Sequence, residues 1–122
     1  MYVDKFIQIT DTEWHIMNIV WSRSPLFMSE IVAELKHTSW KKTTIQTMVS
    51  RLITKKIIGV NRTGRAFTYF PIISEKEATR MKTNYFIKNI CKGNAVRCVE
   101  RIVEIMMISA EEKKSIKKLL SD

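Results

Sequence analysis

The chain has 122 residues, a formal net charge of +9, and a composition that is 45% hydrophobic and 27% charged. That length suits one domain, or one small domain with an appendage, and the hydrophobic fraction excludes a disordered chain. The longest uncharged stretches, 14–22 and 66–74, are nine residues each, far short of the roughly 20 a membrane span needs.

The opening MYVDKFIQIT carries two charges and no long apolar run, so no secretory leader is read there. The expected location is cytoplasmic, with Cys91 and Cys98 as reduced thiols. Two Cys and two distant His (His15, His37) do not supply four ligands at zinc spacing. No metal or other cofactor is expected.

In chain order, TDTEWHIMNIVW reads as a first helix. Thr10 or Asp11 can cap it, and Glu13 sits in the first turn, where the helix dipole favours an acid. Trp14, Met17 and Trp21, with Ile16, Ile19 and Val20 beside them, form a wide apolar stripe that should face a core. SRSPLF reads as a turn. Ser29 is expected to cap a short second helix whose Ile31, Val32 and Leu35 point inward.

A third helix is expected from about Lys42 to Lys55. Ile45, Met48, Val49, Leu52 and Ile53 recur at helical spacing on one side. Thr43, Gln46, Thr47, Ser50, Arg51 and Thr54 lie opposite. IIGVNR and AFTYFPII then read as two strands joined by TGR, with Gly64 in the turn. Pro71 cannot donate a ladder bond, so the second strand should lie at an edge or end there.

Ser74 opens a long helix, EKEATRMKTNYFIKNIC, which Gly93-Asn94 breaks. AVRCVERIVEIMM follows, with Val96, Val99, Ile102, Val103 and Met106 on one side. Ser109 is expected to cap a last helix whose acids stand at its start and lysines at its end.

Charge is concentrated. Residues 36–65 hold Lys36, Lys41, Lys42, Arg51, Lys55, Lys56, Arg62 and Arg65 and no acid, whereas residues 1–35 hold more acid than base. Such clustering is the footprint of a polyanion binder. Three helices and a hairpin in this order define a winged helix-turn-helix. The fold class is mainly α with a small β-hairpin, followed by a C-terminal helical dimerisation arm. The expected division is 1–73 for the winged domain and 74–122 for the arm.

The winged arrangement gives the third helix a purpose. Phosphates line both edges of a major groove, so a helix entering it should lack carboxylates and carry short side chains. Hydroxyls on Thr43, Thr47 and Ser50 can meet bases or phosphates, and Gln46 can pair with adenine. Lys41, Lys42 and Arg51 suit phosphates, and Arg62 and Arg65 flank the wing tip. Lys55 and Lys56 either join them or offset the helix dipole. Trp14, Trp21 and Trp40 are read as core, and Phe67, Tyr69 and Phe70 as hairpin packing.

The arm cannot easily bury its apolar stripes on so small a domain. Tyr85, Phe86, Ile90, Val96, Val99, Ile102, Val103, Met106, Ile116, Leu119 and Leu120 are therefore expected at a two-fold interface with a second copy, matching a palindromic site. The alternative is that these helices fold back over their own domain.

EWHIMNIVW, TTIQTMVSRLITKKII and GRAFTYFPIIS resemble, in order and spacing, the penicillinase-repressor family, with its copper-responsive branch. The similarity is specific over about residues 8–75 and weaker beyond. It implies a homodimeric repressor on a two-fold operator, with contacts at Lys42, Thr43, Thr44, Gln46, Thr47 and Arg51 and in the wing near Arg65. Gln46 stands where Arg is frequent in the family. Arg101-Ile102 stands where the β-lactam-responsive branch has its cleaved Asn-Phe pair, and the tail lacks the copper branch's Cys-x-Cys pairs.

Two other classes stand beside this reading. One is a protein-interaction module using the basic winged face on an acidic partner. The other is an enzyme, for which the sequence offers no nucleophile-base pair, phosphate-binding glycine loop or paired carboxylates.

Overall fold

The computed structural model describes residues 8–121; the stretch 1–7, read above for a leader, and residue 122 lie outside the described residues. Two compact units divide the chain, the first running through Lys82 and the second from Thr83 onward.

In the first unit, α1 (Asp11–Arg23) starts with a reciprocal cap. The Thr10 hydroxyl accepts the Glu13 N–H at 3.1 Å, and the Glu13 carboxylate accepts the Thr10 N–H at 3.0 Å. Ile16, Met17 and Val20 are buried, and Trp14, Ile19 and Trp21 are half-buried against them. The Trp21 indole N–H donates to the Ile73 carbonyl at 2.9 Å.

SRSPLF is more than a turn, because Leu26–Phe27 forms a short strand, β1. Helix α2 (Met28–Glu34) follows at once, and Ser29 does not cap it. Phe27 occupies the cap position, and the Glu30 carboxylate accepts its N–H at 2.8 Å. Ile31 and Leu35 are buried and Val32 half-buried, as their spacing requires.

Helix α3 (Lys42–Thr54) buries Ile45, Met48, Val49 and Leu52 and half-buries Ile53. Each fully buried side chain of this kind contributes about 1.5–3 kcal/mol relative to exposure. The helix ends in a Schellman motif. The Ile57 N–H donates to the Leu52 carbonyl and the Lys56 N–H to the Ile53 carbonyl, both at 2.9 Å. Lys56 takes the left-handed position with φ 64°, a place glycine usually fills.

Strands β2 (Ile58–Asn61) and β3 (Thr68–Pro71) form the expected hairpin, with Gly64 at φ 99° in its connection. The sheet has three antiparallel strands in the order β1-β3-β2. Strand β3 is therefore central, not an edge. Pro71 is tolerated because it is the strand's last residue, opposite Ile58. Leu26 and Tyr69 face the core and are buried. Phe27 and Phe70 point to the other face and are exposed, and the Phe70 ring lies across Gly59, where an added Cβ would stand 2.4 Å from its Cζ.

Helix α4 (Glu75–Asn89) begins where the Ser74 hydroxyl accepts the Glu77 N–H at 3.1 Å. Ala78 joins the core, Met81 is buried, and Lys82 donates to the Ile9 carbonyl at 3.1 Å. These contacts carry the first unit beyond the expected boundary at residue 73.

In the second unit, α5 (Ala95–Ile105) is capped by Asn94, whose side-chain oxygen accepts the Arg97 N–H. It stops at Ile105, short of the expected Met107. Helix α6 (Ala110–Leu120) is capped by Ser109 as expected. The Glu112 carboxylate accepts the Ser109 N–H at 2.9 Å, which holds it below the usual glutamate range. Cys91 and Cys98 are not free thiols: they form a disulfide. The chain reverses through Lys92 and Gly93, both at positive φ, and brings the two Cα atoms to 6.0 Å, within bonding range. Among the described residues, no helix is long and apolar enough to cross a membrane.

Candidate nucleic-acid interface

The outward side of α3 carries the residues expected there. Lys41, Lys42, Thr43, Thr44, Thr47, Ser50 and Arg51 are exposed, and Gln46 is half-buried. None is sealed inside the fold. The burial of Ile45, Met48, Val49 and Leu52 fixes the helix's rotation, and that rotation turns this acid-free face outward.

Two hydroxyls of this face are already committed. The Thr47 Oγ1–H donates to the Thr43 carbonyl one turn earlier, at 2.9 Å, and Thr54 bonds Ser50 in the same way at 3.0 Å. Thr47 can therefore offer a ligand its oxygen lone pairs and its methyl, but not its proton. Sequence spacing alone did not separate these roles.

Lys55 does not belong to the open basic face. Its Nζ donates to the Glu13 carboxylate and to the Gln8 carbonyl, each at 2.8 Å, and Glu13 is buried. This contact ties the start of α1 to the end of α3. This partner replaces a polyanion contact for Lys55, while its place at the C-cap of α3 is compatible with the dipole role. The partners are 42 residues apart, and no local pattern announces such a pair.

At the wing, Arg62 and Arg65 are exposed. The Asn61 side-chain oxygen accepts both the N–H and the hydroxyl of Thr63, at 3.0 and 2.6 Å, which shapes the turn. The Arg62 guanidinium carbon lies 5.4 Å from the centre of the Phe67 ring, a cation–π distance. Phe67 is thus exposed and supports Arg62, where hairpin packing was expected. Arg65 lines an open groove of about 590 Å³ with Phe27, Met28, Ser29, Ala66, Phe67 and Tyr69. His15 stands edge-on to Trp40, with ring centres 5.6 Å apart, and His37 is on the surface. Trp40, like Trp14 and Trp21, packs half-buried on the core.

In the second unit, Tyr85, Phe86, Ile90, Val96, Val99, Ile102, Val103, Met106, Leu119 and Leu120 are exposed, and Ile116 is half-buried. Ile105 and Met107, outside the predicted stripe, are exposed too.

Three helices, a three-stranded sheet with a basic connection, and a solvent-facing third helix free of acid define a winged helix-turn-helix protein. Comparison with known proteins narrows the class. The family model described as penicillinase repressor matches residues 9–122, and the chain belongs to that family. The penicillinase repressor of Bacillus licheniformis is 33% identical over 119 residues, covering 97% of this chain and 93% of that protein. The methicillin resistance regulatory protein MecI of Staphylococcus aureus is 26% identical over 97% of each chain. Among solved structures, the DNA-binding domain of the repressor BlaI matches with 41% identity and a TM-score of 0.52, over 57% of this chain and 87% of that one. The Bacillus licheniformis BlaI monomeric form, solved in complex with the blaP half-operator, matches with 40% identity and a TM-score of 0.53, over 59% and 89%.

Proposed function

We propose that the chain is a transcriptional repressor that binds operator DNA through α3 and the wing. The observation that carries this is the acid-free outer face of α3, turned to solvent on a fold that a relative uses in complex with a half-operator. In this assignment α3 lies in a major groove about 12 Å wide. Lys41, Lys42, Thr44, Ser50 and Arg51 meet the phosphate backbone, while Thr43, Gln46 and Thr47 meet base edges. Arg62 and Arg65 reach the backbone or a minor groove beside the wing. The half-operator complex of the relative favours this over an acidic protein partner.

The second unit is assigned as the dimerisation arm, which pairs with a second copy and sets two α3 helices against a palindromic site. Its support is the row of exposed apolar side chains on α4 and α5, which a lone protomer leaves in water. The protein acts in the cytoplasm, where the DNA is, and no catalytic step is assigned to it.

The test is binding to duplex DNA across a salt series. A dimer neutralising about eight phosphates gives log K against log salt a slope of roughly −7. Arg51→Ala weakens binding to all duplexes, whereas Gln46→Ala costs about 1–3 kcal/mol and relaxes base preference. Affinity that ignores salt, or a Gln46 substitution that leaves base preference intact, refutes the assignment.

A further inference from the structure

We propose that Cys91 and Cys98 are a redox-reactive dithiol site, which exchanges with a low-molecular-weight thiol–disulfide couple and thereby controls dimerisation of the second unit. The proposal rests on the repressor reading above.

The two sulfurs join the end of α4 to the first turns of α5 across a sequence separation of 7. Cys91 is 8% exposed and Cys98 5%. They are the only buried side chains among the described residues of the second unit. The other contacts of the corner are local to the turn. The Gly93 N–H donates to the Ile87 carbonyl at 2.8 Å, and the Asn94 N–H to the Cys91 carbonyl at 3.0 Å. Val99 and Ile102 on α5, and Phe86 and Ile90 before the corner, are all exposed. The apolar faces of the two helices are therefore held in one arrangement by the sulfur–sulfur bond itself. Among the described residues, no other fully buried side chain of the second unit would keep them there once the bond is cut.

A protein that meets chromosomal DNA works where small thiols keep most cysteines reduced. A disulfide in that compartment belongs to sensing or catalysis more than to permanent bracing. The closed loop is also short, and short loops draw less stabilisation from a crosslink than long ones. The bond is thus poised to respond to the surrounding couple.

The chemistry balances as two exchange steps. One cysteine thiolate attacks a sulfur of the small disulfide, breaking its S–S bond, releasing one small thiolate and leaving a mixed disulfide on the protein. The second cysteine thiolate attacks the protein sulfur of that mixed disulfide, closing the Cys91–Cys98 bond and releasing the second small thiolate. The protein gives up two electrons and two protons, and the small disulfide leaves as two thiols. Reduction is the reverse.

The experiment equilibrates the full chain with reduced and oxidised glutathione at graded ratios. Free thiols are counted by alkylation and mass, self-association is measured by sedimentation, and binding is measured to a duplex selected from random sequence. The oxidised chain is expected to dimerise and bind the duplex at least about tenfold more tightly than the reduced chain, within a ceiling of about two orders of magnitude set by so short a loop. The double variants C91S/C98S and C91A/C98A, checked for retained helix by circular dichroism, should match the reduced chain at every ratio. Equal self-association in both redox states overturns the proposal, as does a pair that stays reduced, or stays bonded, across all ratios. A chain that fails to bind duplex in either state while its self-association still follows the glutathione ratio sinks the repressor reading instead, and leaves the dithiol chemistry standing.

Discussion

Replacing Glu13 by alanine tests how the third helix is held in place. The change removes two contacts of a carboxylate whose side chain is 3% exposed: the 3.0 Å bond from the Thr10 N–H and the 2.8 Å ion pair with Lys55. Loss of the bond from the Thr10 N–H, one half of the reciprocal cap, costs about 1 kcal/mol, while the Thr10 hydroxyl keeps the Glu13 N–H. The ion pair adds about 1–2 kcal/mol, reduced from a fully buried value because the Lys55 side chain is 30% exposed and keeps the Gln8 carbonyl. The sum, about 2–3 kcal/mol, lowers the melting temperature by about 10–20 °C in a unit of this size. Thr10→Ala loses the other half of the cap, the bond its hydroxyl accepts from the Glu13 N–H, and should cost about 1 kcal/mol. Lys55→Met should cost at least as much as Glu13→Ala, since it strands a buried carboxylate. Thermal unfolding followed by circular dichroism reads all three. A Glu13→Ala chain melting within about 2 °C of the parent, or a Lys55→Met chain more stable than it, refutes the reasoning.

Lys56→Gly should stabilise the protein by about 0.5–1 kcal/mol, because Lys56 holds a left-handed conformation at φ 64° that costs glycine nothing; chemical denaturation checks the sign. Gly59→Ala should destabilise by about 1 kcal/mol by displacing the Phe70 ring, and that penalty should vanish in a Phe70→Ala background. Placing aspartate at both Val99 and Ile102, two exposed apolar positions of α5, should weaken self-association by about 100-fold, or about 2.7 kcal/mol, in sedimentation. Unchanged association would mean that the copies meet elsewhere.

Long amphipathic helices were the most legible part of the chain. The apolar spacing in α1 and α3 is enforced by burial, so reading it located both the core and the face opposite it. The acid-free run from residue 36 to 65 then pointed to the candidate interface. Features set by a few atoms or by distant partners were not legible. Strand β1 has two residues, too few for any periodicity. Phe27, not Ser29, occupies the N-cap position of α2, where the Glu30 carboxylate accepts its N–H. Lys55 meets Glu13 only after the fold has formed. Phe67 has the sequence pattern of any strand aromatic, and only the fold places Arg62 over its ring. The cysteine pairing depends on the reversal at Gly93 that brings the two residues together, which neither their spacing nor the expected compartment announces.

Selection of bound fragments from a pool of random duplexes tests the central claim most directly. A repressor presenting two copies of α3 should enrich an inverted repeat whose half-sites lie about one helical turn apart, or a multiple of it. Recovery of fragments with no shared sequence, or of none above background, would contradict it.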